Sequence, residues 1–333
     1  MSESLRIATF NLENLDDKAD KNNPPLNERI AVMKPQLIRT RADVLCLQEV
    51  HGQEEPNKPR QLSALKKLLV GTPYQTYHLA TTKTTKNEVY DKRNLVVLSR
   101  FPMLGDPEQF RHDFVPKIKY KKFTAKPLED AEEMTWERPI LYVKIDLGQN
   151  RTLHLINLHL KSKLPIEISG QKHPDPKKWY IWLTVAGWAE GYFLSSMKRV
   201  GQALETRILI DKIFEDQGED SLVAVCGDFN ADFDSVPVNA IRGPVDETNN
   251  PDLVGRIMAP CELTVPESSR YSFLHLGKGA MLDHILVSRK MLTFYRDAEI
   301  HNEILPDESG AFRTDIKFPE SDHAPVVAEF VLP

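Results

Sequence analysis

Eight stretches of the chain have the alternating or continuously apolar, β-branched character of strands: Leu5–Leu12, Val44–Leu47, Leu95–Ser99, Ile140–Ile145, Leu153–Leu160, Leu222–Cys226, Asp283–Ser288 and Val326–Leu332. Helical stretches lie between some of them. Asn27–Thr40 is one, with Pro35 expected to disturb it. Gln61–Val70 is a second, and the longest runs from about Lys177 to Phe214. Ser235, with Pro237 two residues on, reads as the cap and first turn of a short helix. Strands and helices mixed in this order predict a layered α+β fold with two packed sheets. Gln109–Glu137, charged and irregular, and Lys163–Lys178, rich in Pro, Lys and Gly, read as loop insertions.

Several strands stop at polar residues that can do chemistry. Thr9-Phe10-Asn11-Leu12-Glu13-Asn14, Leu47-Gln48-Glu49-Val50, Gly227-Asp228-Phe229-Asn230 and Ser321-Asp322-His323-Ala324-Pro325-Val326 each set carboxylates, carboxamides or an imidazole at the edge of an apolar run. Side chains alternate faces along a strand, so Asn11 points with Glu13, Asn157 with His159, and Asp228 with Asn230 if the strand continues. The face carrying Leu153 and Leu155 thus turns polar at Asn157 and His159, as a strand entering a cleft should. Carboxylate and carboxamide oxygens suit Mg²⁺, Mn²⁺ or Ca²⁺ better than zinc. Glu49 is the first candidate ligand, helped by Asn11 and by Glu13 or Asp322. The chain has no HExxH, no Cys-His pair at finger spacing and no Gly-rich phosphate loop, which weakens zinc-hydrolase and nucleoside-triphosphatase readings.

These segments, with Asn157-Leu158-His159-Leu160 and Met281-Leu282-Asp283-His284-Ile285-Leu286-Val287-Ser288, resemble the endonuclease/exonuclease/phosphatase superfamily in block order and spacing over residues 5 to 330. The resemblance implies a four-layer α/β/β/α sandwich of two mainly antiparallel sheets flanked by helices, with the site at one edge. It also implies roles. Asn11 and Glu49 would hold Mg²⁺ (or Mn²⁺ or Ca²⁺), with Glu13 and Asp322 beside it. Asp228 and Asn230 would position or deprotonate the attacking water. Asn157, His159 and Asn230 would face the phosphate, and His323 would be oriented by Asp283. Either Asp228 or the His323–Asp283 pair would be the base. Arg138 could pair with phosphate or cap the sheet, and His284 reads as structural. Several abasic-site members carry tyrosine where this chain has His159, followed by a Pro-Asn pair absent here. The stretch is closer to deoxyribonuclease-like and other bacterial members.

Composition then narrows the setting. Cys46, Cys226 and Cys261 are odd in number and lack CxxC spacing, so reduced thiols and a cytoplasmic location are expected. The N-terminus enters strand-like sequence at once, and no apolar run is long enough to span a bilayer. Because the chemically suggestive residues run from Asn11 to His323, one domain over 1–333 is expected. The net charge of −5 argues against coating nucleic acid by bulk electrostatics, so contact must come from a local patch. One candidate is Lys117-Ile118-Lys119-Tyr120-Lys121-Lys122-Phe123 with Lys126, although Glu129-Asp130-Ala131-Glu132-Glu133 follows closely. Trp179, Tyr180, Trp182, Trp188, Tyr192 and Phe193 read first as core packing, otherwise as an aromatic wall over the site. The expected activity is a metal-dependent phosphodiesterase cutting DNA or RNA. A phosphatase or phosphodiesterase on a small phosphate ester is the alternative, and a catalytically silent binding module the minor one. No protein partner can be inferred.

Overall fold

The computed structural model describes residues 3–19, 23–307 and 317–333. Every expected strand forms, and eight others join them among the described residues. In chain order they are β1 Glu3–Leu15, β2 Val44–Val50, β3 His78–Thr81, β4 Asn94–Ser99, β5 Glu108–Phe110, β6 Ile118–Tyr120, β7 Glu132–Met134 and β8 Ile140–Asp146. They continue as β9 Thr152–His159, β10 Leu222–Asp228, β11 Met258–Pro260, β12 Phe273–His275, β13 Lys278–Ala280, β14 Asp283–Ser288, β15 Tyr295–Ile300 and β16 Val326–Leu332. One six-stranded sheet runs β15-β16-β1-β2-β4-β3 and the other β11-β14-β10-β9-β8-β5. Each has a parallel pair at its centre, β1 with β2 and β10 with β9, and antiparallel pairs elsewhere.

The period-2 pattern explains the layering. On the facing sides of the sheets, Ile7, Val44, Cys46, Leu155, Cys226 and Ile285 share one core. The alternate positions Phe10, Leu45 and Leu47 pack outward on helices α1 (Leu26–Thr40) and α2 (Ser63–Leu69) through Met33, Leu37 and Leu65. Ile156, Leu158 and Val225 pack outward on α3 (Val185–Gln217) and α4 (Val236–Arg242) through Ile210, Ile213 and Val238. Central strands buried on both faces read as nearly unbroken apolar runs, as these do. The result is the four-layer α/β/β/α sandwich. All three cysteines are free and buried, and no described helix is long and apolar enough to cross a membrane.

Two helix expectations need correction. Pro35 does not break α1, because it stands on the exposed side, where water can serve the carbonyl that loses its N–H partner. The long helix starts at Val185, where the Thr184 hydroxyl accepts from Gly187 N at 3.0 Å. Before it, Pro176–Lys178 form a single 3₁₀ turn and Trp182 pairs with Lys172 in an isolated bridge, so Trp179 and Trp182 share no helical face. This strap, residues 163–184, lies directly on α3. A Cβ on Gly191 would sit 2.2 Å from the Ile166 carbonyl oxygen, and one on Gly187 would meet Gln171 at 2.5 Å.

The 109–137 insertion is also more ordered than its sequence implies. It contains the antiparallel β6/β7 ladder and is tied to α3 by two buried glutamates. Glu190 accepts from Phe123 N at 2.6 Å, Thr124 N at 2.8 Å and the Tyr120 hydroxyl at 3.0 Å. Glu205 accepts from Trp136 Nε1 and Asp113 N, both at 2.8 Å.

Candidate active site

The carboxyl ends of the two central parallel pairs meet at one edge of the sandwich. Across the second sheet, Asp228 on β10 stands level with His159 on β9 and Asp283 on β14, forming one row. Across the gap, Asn11 on β1 stands level with Gln48 on β2. The β9/β10 pair is close here because residue 227 is glycine. A Cβ there would lie 2.0 Å from the Leu158 carbonyl oxygen, and its φ is +144°.

Asp228 is the hub. Its Oδ2 receives Asn11 Nδ2 and Asn230 Nδ2, both at 3.0 Å, while Oδ1 receives Asn230 N at 2.8 Å. His159 Nε2 lies 3.2 Å and His323 Nε2 3.8 Å from Oδ2. Burial opposes its charge, but the two imidazoles and the Asn230 N–H outweigh it and hold the carboxyl well below the usual range. His159, fully buried and beside Arg138, is pushed below the ordinary histidine value. The Asp228 contact places its proton on Nε2, and buried Nδ1 finds no partner among the described residues. His323 Nδ1 donates to Asp283 Oδ2 at 2.7 Å. Burial would lower its pKa, but Asp283, Asp228 and Asp322 raise it well above the ordinary value. Ser272 fixes Asp283 by donating to Oδ2 at 2.7 Å while accepting from Asp283 N at 3.0 Å.

The metal candidates stand opposite. Glu49 Oε2 accepts from Asn14 N at 3.0 Å, whereas the nearest donors to Oε1 are His159 Nε2 at 3.6 Å and Arg93 Nε at 3.8 Å. Glu13 accepts from Lys317 Nζ at 2.9 Å and Asp322 N at 3.0 Å. Burial, with Glu13 and Glu49 nearby, pushes the Asp322 carboxyl up to about 8. A nearly buried carboxylate with an under-satisfied oxygen, among other oxygen donors that repel one another, fits a hard divalent cation. Asp228, Asp283 and His323 also bring one potential ligand atom each within 4.8 Å of one another, but the imidazole is already hydrogen-bonded to Asp283.

The backbone is strained around the candidate ligands. Glu13, Asn14, Glu49, Arg93 and Asn230 all have positive φ, between 42° and 60°. Non-glycine residues held so cluster at functional sites, at a cost on the order of 1 kcal/mol each. Strand alternation therefore fails at two expected positions. Glu13 follows a register shift after Asn11, and Asn230 reaches Asp228 by folding back through a turn.

Two expected phosphate contacts sit differently. Asn157 does share the inter-sheet face with His159, but it lies below the site, wholly buried. Its Oδ1 accepts from Gln48 Nε2 at 2.8 Å, and its Nδ2 donates to Leu47 O at 3.2 Å and Val96 O at 3.0 Å. No N–H is left for a phosphate, so Asn157 bridges the sheets. Arg138 is buried beneath the site and donates to the carbonyl oxygens of His159 and Leu160 at 3.4 and 3.1 Å. It thus clamps the end of β9 while its charge acts on Glu49 and Asp228. His284 is structural: Nδ1 meets Glu262 Oε1 at 2.5 Å and Nε2 meets Ala231 O at 2.9 Å. Gln48, Arg93, Ser272, Ser321 and Lys317 belong to the site or its support and were not found from sequence. Only the Gln48 and Ser321 positions, inside motif segments, carried any signal.

Comparison with known proteins identifies the family and the fold. A sequence model of the Endonuclease/Exonuclease/phosphatase family matches residues 8–323, and the chain belongs to that family. Its members include nucleases and phosphatases acting on phosphoester bonds. Among solved structures, the Bacteroides vulgatus endonuclease/exonuclease/phosphatase is 18% identical with a TM-score of 0.56, covering 99% of this chain and 100% of that one. Truncated Caenorhabditis elegans TDP2 is 13% identical with a TM-score of 0.55, covering 98% of each chain. The 3′-5′ exonuclease NExo from Neisseria meningitidis is 16% identical with a TM-score of 0.53, covering 98% of this chain and 99% of that one. At these identities the likeness shows the fold. No curated protein matches the chain.

Proposed function

We propose that this chain is a divalent-metal-dependent phosphodiesterase that hydrolyses nucleic acid by in-line attack of water. The observation that carries the reading is the convergence of Asn11, Glu49, His159, Asp228 and His323, contributed by both sheets, on one edge. Glu49 and Asn11, with Glu13 and Asp322 alongside, would hold the cation, most simply Mg²⁺. When bound it would offset the negative charge that grows on the phosphate oxygens. Asp228, anchored by Asn230 and Asn11, orients the attacking water and takes its proton. His159, whose Nε2–H meets Asp228 in the structure, would turn that donor to a phosphate oxygen when substrate enters. His323, fixed by Asp283, presents Nε2 as a second donor at the same edge. Asn230, whose two amide hydrogens go to Leu160 O and Asp228 Oδ2, holds Asp228 in place rather than facing the phosphate, and Arg138 adds positive charge from below. Donors arranged beforehand around the developing charge are the largest single source of rate in such chemistry.

The nucleic-acid substrate draws support from relatives: a Neisseria NExo structure is described as bound to a product DNA hairpin. The net charge of −5 keeps a small phosphate ester as the second reading. The site draws on strands from β1 to the segment before β16, so residues 1–333 act as one domain in this reading. Three buried thiols without disulfides suit a cytoplasmic setting. Incubating supercoiled plasmid with Mg²⁺, Mn²⁺ or EDTA tests the substrate class. Nicking that needs metal supports a nuclease. Intact plasmid alongside phosphate release from nucleotides or inositol phosphates would transfer the reading to small esters.

A further inference from the structure

The N-terminal half of α3 belongs to neither sheet. The helix is 33 residues long, about 50 Å, and it returns antiparallel to β10, a strand of only about 23 Å. Its lower half packs on the second sheet through Ala203, Ile210 and Phe214. Gln202 and Arg199 lie level with the site: Gln202 Oε1 accepts from Lys161 N at 2.8 Å, and Arg199 donates to the Lys161 and Ser162 carbonyl oxygens at 3.0 Å. Lys161 follows Leu160, whose carbonyl receives Asn230 Nδ2 at 3.1 Å. Residues 185–198 therefore project about 21 Å beyond the sheet edge, past the site. The projecting half carries its own small core, Ala125, Ile168 and Leu194, with Tyr120, Met134, Ile166 and Trp182 against it.

Phe193 joins that core against Tyr120, but Trp188 and Tyr192 stay outside it. Trp188 and Tyr192 lie one turn apart, 44% and 43% exposed, with rings stacked at 5.6 Å and 16°. Further along, the same stripe turns inward at Ser195 and Arg199, and Arg199 holds the Lys161 and Ser162 carbonyls close to the site. On the strap, Trp179 and Tyr180 are 68% and 62% exposed. Around them, residues 161–200 hold seven Lys and Arg against three carboxylates, in a chain of net charge −5. Of the three, Glu190 is buried and spent on the 109–137 insertion. Lys161, Lys172, Lys177 and Lys178 form no ion pair with a carboxylate among the described residues. By contrast, the lysines of the 117–123 stretch are partly cancelled, Lys117 by Glu133 and Lys122 by Glu129 and Glu132.

We propose that this overhang is a platform for single-stranded nucleic acid, with bases stacking on Trp188 and Tyr192 and phosphates following the lysines toward Lys161 and the active edge. The proposal rests on the phosphodiesterase reading and names the form of its substrate. Lys172 also lies over the Trp182 ring at 4.0 Å, and exposed flat rings beside cations that no carboxylate neutralises are what sequence-tolerant single-strand binding uses, because every base has a face to stack. Paired bases in a duplex cannot offer that face. The local excess of positive charge answers the requirement that any nucleic-acid contact in this acidic chain be a patch.

The test measures binding of a short oligothymidylate to the full chain in EDTA, by intrinsic tryptophan fluorescence and by anisotropy of a labelled strand. The Trp188→Ala, Tyr192→Ala double variant should bind at least about 30-fold more weakly, and Trp188→Phe with Tyr192→Phe should restore binding. A duplex of equal length should bind less well than the single strand and should be indifferent to the alanine pair. Both residues are exposed and outside the catalytic set, so metal-dependent turnover of bis(p-nitrophenyl) phosphate should be unchanged. Equal affinity of wild type and the alanine variant for the single strand overturns the proposal. So does retention of wild type but not the variant on phosphatidylglycerol vesicles, with oligonucleotide binding unaffected, which would make the patch a lipid-facing one. Wild-type turnover of the small diester separately checks the phosphodiesterase reading, so the two claims fail on different measurements.

Discussion

Asn157→Asp changes one NH₂ to an oxygen and separates two roles for this residue. In the structure the amide nitrogen donates to Leu47 O and Val96 O, one on each of two neighbouring strands of the opposite sheet. The substitution removes both hydrogen bonds, leaves two carbonyl oxygens without those partners, and aims an acceptor at them. The bond from Gln48 Nε2 to Oδ1 survives. Two lost bonds with their orphaned partners, plus a charge in the inter-sheet core, cost roughly 3 to 5 kcal/mol. For 333 residues, with about 2.1 cal/mol/K per residue of unfolding entropy, Tm should fall about 4 to 7 °C. The sign with pH is fixed. Burial raises the introduced carboxyl above its unfolded value near 3.9, so the neutral acid, which can donate to one carbonyl, is favoured when folded. The deficit should be smallest near pH 4 and grow as pH rises through the folded value. Thermal melts of wild type, Asn157→Asp and Asn157→Ala across pH 4 to 8 decide the matter. An unchanged Tm with a large fall in kcat/KM would refute the bridging role and return Asn157 to the phosphate.

Three other outcomes follow from particular contacts. Gly227→Ala should part β9 from β10 beside His159 and Asp228, because its Cβ would meet Leu158 O at 2.0 Å; a folded variant with wild-type activity would contradict the close approach. Mg²⁺ should raise the wild-type Tm in proportion to the logarithm of its concentration above Kd, and Glu49→Gln should reduce that shift; an equal shift in both would move the metal elsewhere. His284 faces two acceptors, and although burial opposes its charge, Glu262 and the Ala231 carbonyl raise its pKa. Its pair therefore stabilises fully below the ordinary histidine value near 6.5 and is lost as pH rises through the folded value. His284→Gln should flatten the alkaline side of the stability curve, read by urea denaturation; an identical pH profile would show that the pair does not ionise.

What could be read from the sequence was what strand periodicity and short motifs encode. Leu153 and Leu155 facing the same core as Asn157, and Asp228 and His323 at element ends, follow from local pattern alone. The failures come from longer range. Whether Asn157 meets a phosphate or the opposite sheet depends on Leu47 and Val96, about 110 and 61 residues away in the chain. Arg93 approaches Glu49 through a left-handed turn that no composition signal marks. The tryptophans of the strap looked like helix because nothing local distinguishes the 3₁₀ turn at Pro176–Lys178 from a helix start, whereas Thr184 proves to be the cap. Ser272 supports Asp283 across eleven residues and a hairpin, a contact visible only in the fold.

In the proposed mechanism Asp228 and the Glu49 carboxylate serve one metal-assisted hydrolysis at the sheet edge. Its most direct test is the rate of phosphodiester cleavage against Mg²⁺ concentration for wild type, Asp228→Asn and Glu49→Gln, with folding checked by circular dichroism. Wild type should show saturable metal dependence, Asp228→Asn should lose at least about 100-fold at any Mg²⁺ level, and the Glu49→Gln curve should shift to higher Mg²⁺. Cleavage that persists in EDTA, or folded variants that turn over as wild type does, would contradict that mechanism.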